Sequence, residues 1–241
     1  MTDGYDGGWS YSADAWIKLA PDHATRSLLL DPVMIAESGE VAGRRVLDLG
    51  CGEGRFSRLL SAEGATTVGI DPIWKMLEAA RQAGHPSASY VLGTGEILPF
   101  ADQSFDLVIA YLCLIDITDF RAAIGESARV LTAGGRLIAA NVSNLASSSE
   151  APVRDDSGRF LHYAVDRYLD EWPMTLEWAG LRIRNWHRPL SAYMDAYLGA
   201  GLTLRRFIEP VPDESLRGDP QFESWFRVPT FDVMVWEKSA A

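Results

Sequence analysis

Residues 46–56 read Val46-Leu47-Asp48-Leu49-Gly50-Cys51-Gly52-Glu53-Gly54-Arg55-Phe56. An apolar run of strand character enters a turn with glycine at every second position, and an amphipathic helix opens behind it. Such a turn brings bare backbone N–H groups and a helix N-terminus up to an anionic ligand group. A second apolar run, Thr66-Thr67-Val68-Gly69-Ile70, ends on Asp71. An acid about 20 residues beyond a glycine turn suits the diol of a ribose. Together these features predict a nucleoside-binding α/β domain.

The glycine spacing narrows the ligand. A dinucleotide fingerprint needs G-x-G-x-x-G, whose third glycine packs the helix tightly on the strand. Counted from Gly50, that place is held by Arg55, and no Gly-Lys-Ser/Thr of a phosphate-binding loop follows. The pattern Asp48-x-Gly50-x-Gly52-x-Gly54 resembles the first motif of the class I S-adenosylmethionine-dependent methyltransferases. In that family the turn passes under the methionine part, and the acid helps to hold the ammonium group, often through water. A mouth with carboxylates suits a sulfonium and an ammonium better than a pyrophosphate.

The resemblance continues through Val68-Gly69-Ile70-Asp71-Pro72, through Gly93-Thr94-Gly95-Glu96-Ile97-Leu98-Pro99-Phe100 with Ser104-Phe105-Asp106, and through Arg129–Leu137. These blocks fall in the family's order and look like its small-molecule branch. They imply S-adenosylmethionine as cofactor, contacted by Asp48, Gly50, Cys51, Gly52, Asp71 and Pro72. Where the family usually has an acid or amide for the adenine amino group, this chain has Thr94. Thr94, Gly95, Glu96 or main-chain groups are the candidates for that contact. Tyr111 and Asp116 sit where relatives border both ligands. Many of those place a histidine near Asp116, so its presence implies different acceptor chemistry. Tyr11 is a candidate cap for the cofactor carboxylate, with plain packing as its alternative.

Methyl transfer from a sulfonium is an in-line displacement in which the protein chiefly aligns nucleophile, carbon and sulfur. A base is needed only for an acceptor protonated at working pH. His23 and His85 read as loop surface. His187, in Asn185-Trp186-His187-Arg188-Pro189-Leu190, lies in a run that resembles a segment bordering the active site in the small-molecule branch. It is the expected base or acceptor-orienting group; fixing its loop through main-chain bonds is the alternative. His162, Tyr163 and Trp186 are the further acceptor-side candidates.

The 241 residues are 47% hydrophobic, enough to bury a single large core. The formal charge of −11 opposes a nucleic-acid substrate. No apolar run reaches membrane-spanning length and no leader pattern opens the chain, so neither membrane nor secretion is expected. Two cysteines suggest no disulfide framework and fit the cytoplasm. No Cys, His or carboxylate cluster has metal-ligand spacing, so transfer without metal is expected. The turn Tyr111-Leu112-Cys113-Leu114 lacks the prolines of adenine-amine methylating enzymes, and neither cysteine follows a proline as in cytosine-C5 enzymes.

The expected architecture is one α/β domain: a Rossmann-like, seven-stranded sheet, mostly parallel with the last strand antiparallel, helices on both faces and a cap excursion. Residues 1–40, carrying Tyr5, Trp9, Tyr11 and Trp16, are the expected lid. Residues 41–141 form the cofactor core, 142–190 the substrate cap and 191–241 the last helix and strands. Alternating stretches at 160–169 and 181–186 predict an antiparallel pair in the cap. At least two of Phe160, Tyr163, Tyr168, Trp172, Trp178 and Trp186 are expected to line an apolar or aromatic acceptor pocket. Pro72 is expected in the first turn of a helix, with Asp119 and Ser191 as N-caps. The rival functions are a cofactor-binding regulator without transferase activity and a nicotinamide-dependent Rossmann enzyme.

Overall fold

The computed structural model describes residues 7–149 and 151–239; Tyr5 lies outside them. In chain order the helices are α1 (Trp9–Leu19), α2 (Asp31–Ser38), α3 (Arg55–Ala62), α4 (Trp74–Ala83), α5 (Phe120–Val130), the short α6 (Asn144–Ser147) and α7 (Leu190–Gly199). The strands are β1 (Arg45–Leu49), β2 (Thr66–Asp71), β3 (Ala88–Leu92), β4 (Phe105–Tyr111), β5 (Leu131–Val142), β6 (Pro152–Arg154), β7 (Phe160–Tyr163), β8 (Trp172–Trp178), β9 (Leu181–His187), β10 (Leu202–Ile208) and β11 (Phe231–Lys238).

Seven strands form one sheet in the order β10-β11-β5-β4-β1-β2-β3. Neighbours from β5 to β3 pair in parallel, while β11 runs antiparallel between β5 and β10. Alternate residues of the central strands serve opposite faces. Leu47, Leu49 and Val108 pack with Phe120 and Tyr197 on one side. Val46, Leu107 and Ile109 pack with Met34, Phe56 and Leu60 on the other. Near-continuous apolar strands are what a sheet covered on both faces requires. The order reverses between β1 and β4, and the carboxyl ends of those strands flank the crevice where open α/β sheets bind ligands.

Asp119 caps α5 as expected, its carboxylate accepting the Ala122 N–H at 3.0 Å. Two other helix starts differ. Helix α4 begins at Trp74 with Ile73 as N-cap, leaving Pro72 ahead of it. Helix α7 is entered from Pro189 rather than capped by Ser191.

The cap also pairs differently. Strand β9 pairs with β8, not with a strand at 160–169, and β7 pairs with β6. The reason is the Ala179-Gly180 turn, where φ is 48° and 82°. Two successive left-handed residues make a two-residue turn that matches strand twist and folds 172–178 directly onto 181–187.

Candidate active site

A cavity of about 300 Å³ opens at the carboxyl ends of β1, β2 and β4. Its floor is residues 50–53, and Asp71-Pro72 and residues 93–96 form one wall. The loop after β4 contributes Tyr111 to Cys113 and Ile115 to Thr118. Trp9 and Trp16 of α1 close over it, and Ile183 and Asn185 reach in from the cap.

The floor depends on backbone that only glycine adopts easily. Gly50, Gly52 and Gly54 have φ of 64°, 53° and 74°. A Cβ on Gly50 would stand 2.5 Å from the Cys113 Cβ, and one on Gly54 2.5 Å from the Tyr90 hydroxyl oxygen. The turn is joined to β2 through Asp71. Gly52 N–H donates to Asp71 Oδ2 at 2.9 Å, and Ile73 N–H donates to Oδ1 at 2.8 Å. Burial pushes the Asp71 carboxyl up to about 6, opposed by those two amide bonds.

Asp48 stands beneath the turn rather than on the cavity surface. Its Oδ2 accepts the Ser57 hydroxyl at 2.6 Å, bracing the start of α3. Burial pushes this carboxyl also up to about 6.

A group not anticipated from sequence occupies the mouth. The Arg26 guanidinium lies 5.4 Å from the Trp16 ring centre and 5.3 Å from that of Tyr111. It pairs with Glu53 at 3.4 Å, while the Trp16 indole donates to Glu53 at 3.0 Å. The Tyr111 hydroxyl donates to Asp31 Oδ1 at 2.8 Å, and Arg55 pairs with the same carboxylate. Trp9 and Trp16 stand seven residues apart on one face of α1, a helical spacing that the sequence carries. Nothing local marks Arg26.

On the cap side, Asp116 Oδ1 accepts from the Asn185 amide, and the Trp9 side chain bonds to the same carboxylate. Burial pushes the Asp116 carboxyl up to about 7.

Several expected residues lie elsewhere. His187 is fully buried but does not line the cavity. Its Nε2 is 2.9 Å from the Tyr168 carbonyl oxygen, which can only accept, so Nε2 carries the proton. Nδ1, 2.9 Å from the Ser147 hydroxyl, is then the acceptor of that bond. Burial lowers its pKa and favours the neutral ring. His187 therefore fastens the base of the cap. Strand alternation puts Trp186 on the opposite face of β9 from Ile183 and Asn185, with Arg188 5.2 Å from its ring centre. His162 is exposed, and Tyr163 packs on Phe160 at 5.3 Å. Neither lines the cavity. Tyr11, 79% exposed, borders an outer depression because it lies well round α1 from Trp9. Of the six cap aromatics only Trp178 lines the cavity. Pro72, Cys51, Thr94, Gly95 and Glu96 do line it.

The fold and this crevice define a nucleoside-binding α/β protein with a cap over its switch point. A family described as "Methyltransferase domain" matches residues 47–139. The "Demethylmenaquinone methyltransferase" of Tropheryma whipplei (strain Twist) is 36% identical over 108 residues, 44% of this chain and 45% of that protein. Its counterpart from Corynebacterium efficiens is 43% identical over 101 residues, 42% and 43% of the two chains. The matches thus span under half the length of these curated relatives. An S-adenosylmethionine dependent methyltransferase structure from Mesorhizobium loti superposes with a TM-score of 0.77 at 27% identity, covering 86% of this chain and 96% of that one.

Over residues 47–139 the chain carries a methyltransferase domain, and its fold is that of S-adenosylmethionine-dependent methyltransferases. Its residues fit the family's cofactor: a side chain on Gly52 would protrude toward Trp16 in the cavity, and Asp71 presents a carboxylate at the end of β2. No helix among the described residues is long and apolar enough to cross a membrane.

Proposed function

We propose that this protein transfers a methyl group from S-adenosylmethionine to a small, apolar or aromatic acceptor, releasing S-adenosylhomocysteine. The observation that carries this reading is that one cavity is walled by the glycine turn and Asp71 on one side and by the cap on the other. When bound there, S-adenosylmethionine supplies an electrophilic methyl carbon on a sulfonium. Gly50 to Gly52 line the methionine end, Asp71 takes the ribose hydroxyls, and residues 94–96 border the adenine. Arg26, neutralised in part by Glu53, is the cation available to the cofactor's carboxylate. Trp9, Trp16 and the cap exclude water and hold the acceptor in line.

The name of the demethylmenaquinone methyltransferases, which gives demethylmenaquinone as their acceptor, supports a small-molecule acceptor here. The two free, buried cysteines fit a reducing, cytoplasmic setting. The net charge of −11 weighs against nucleic acid as the acceptor. Calorimetry with S-adenosylmethionine and S-adenosylhomocysteine tests the cofactor, and release of the latter in the presence of quinols and phenols tests transfer. Failure to bind either compound at millimolar concentration overturns the proposal. Binding without release across the acceptors leaves the regulator as the better account.

A further inference from the structure

We infer that Asp116, oriented by Asn185 and Trp9, takes the proton of an acidic O–H on the acceptor, which makes the acceptor class a hydroxylated, planar apolar molecule. The assignment rests on the methyl-transfer reading for the use of that acceptor. Its support is the composition of the cap-side wall. There Ile115, Leu176, Trp178 and Ile183 present apolar surface, and Asp116 with Asn185 is a hydrogen-bonded polar pair set into it beside Thr118. An apolar pocket with few convergent polar groups fixes orientation through those groups. The indoles of Trp9 and Trp178 offer broad flat contact to a ring.

Three separate elements bring this pair together: the loop after β4, strand β9 and helix α1. Asp116 accepts from the Asn185 amide and from Trp9, and both of these are donors held in place by their own elements. A carboxylate has about four lone-pair sites, so accepting capacity remains for a ligand. Asp116 is half-buried, with the cavity beside it. The charged groups acting on it are Asp71, which repels, and Arg188, which attracts. Asp71 and Asp116 line the same cavity, so Asp116 faces the space proposed for the nucleoside. A carboxyl brought by burial to about 7 is matched to proton transfer at neutral pH. In the step, the acceptor O–H bond breaks and its proton passes to a carboxylate oxygen of Asp116. The electron pair stays on the acceptor oxygen, which becomes the stronger nucleophile. The carboxyl returns the proton to water when product leaves.

The probes are 4-nitrophenol and its methyl ether, 4-nitroanisole, titrated into the wild-type protein and into Asp116→Asn. Wild type is expected to bind the phenol about tenfold or more tightly than the ether, and the variant to bind the two nearly alike. The bound phenol in wild type should also show an absorbance band shifted toward that of the phenolate, a readout independent of how the variant folds. An unshifted band, an unchanged preference in the variant, or no phenol binding to wild type overturns the inference. S-adenosylhomocysteine affinity, measured alongside, should stay within about twofold in the variant. Its absence from wild type would remove the methyl-transfer reading instead, while the phenol preference would still report on Asp116.

Discussion

The Gly52 backbone N–H donates to the Asp71 carboxylate at 2.9 Å, so the turn after β1 and the end of β2 form one hydrogen-bonded unit. The same carboxylate holds Ile73 N–H, just before α4. One side chain thus sets the distance between the two ends of the nucleoside site. Asp71→Ala removes the acid proposed to hold the ribose and leaves both amides without their acceptor. S-adenosylhomocysteine affinity should fall by about tenfold to a hundredfold, corresponding to loss of one or two hydrogen bonds to a charged group. Calorimetry reads this, and an affinity within threefold of wild type would exclude the role.

Gly50→Ala should disturb both stability and binding. The φ of 64° disfavours a side chain, and the added methyl meets the Cys113 Cβ at 2.5 Å. The expected loss is about 1–3 kcal/mol of unfolding free energy. Urea denaturation measures it, and cofactor affinity should fall with it. A second change, Cys113→Gly, should recover part of the stability by clearing the contact while leaving the φ penalty. No recovery would place the whole cost in the backbone.

His187→Ala should act on the cap and leave the nucleoside end alone. The imidazole makes two hydrogen bonds from a fully buried position, to Ser147 and to Tyr168. Removing it leaves a buried hydroxyl and a carbonyl without their partner, at a cost of about 2–4 kcal/mol. Thermal melting should register this, with S-adenosylhomocysteine affinity held within about threefold. A variant that melts like wild type but loses turnover would restore the catalytic role expected from sequence.

Asp232 gives a pH signature. It is buried on β11, and burial followed by repulsion from Glu209 pushes its carboxyl up to about 8. The folded protein therefore binds a proton there that the unfolded chain releases near pH 4. Stability declines as pH rises between those two values, and the full cost is present above the folded value. Asp232→Asn escapes that cost. Its melting temperature should exceed wild type by several degrees at about pH 8.5 and by much less at about pH 5. Equal differences at the two pH values would show that Asp232 does not titrate in this range.

The glycine turn and Asp71 were legible because each is local: a conformation and a strand end, both written in adjacent residues. Asp119 as a cap is of the same kind. The cap was misread where a turn outweighed strand pattern. Alternation marked 160–169, yet Ala179-Gly180 folds 172–178 against 181–187 and leaves Phe160–Tyr163 to pair with β6. The place of His187 beneath the cavity was not legible for another reason. A histidine beside a site and a histidine beneath it have the same sequence neighbours, and only its bonds to Ser147 and Tyr168 separate them.

By itself the sequence determined the sheet, its glycine floor and the acid that ends β2, since these follow from short-range periodicity and from what a bare backbone permits. The tertiary structure alone decided which face of β9 meets the crevice, which aromatics enter it, and that Arg26, Glu53 and Trp16 close its mouth. Those choices depend on contacts between residues tens to more than a hundred positions apart, as with Trp9, Asp116 and Asn185. Chain pattern constrains such contacts only once packing has fixed the surfaces that meet.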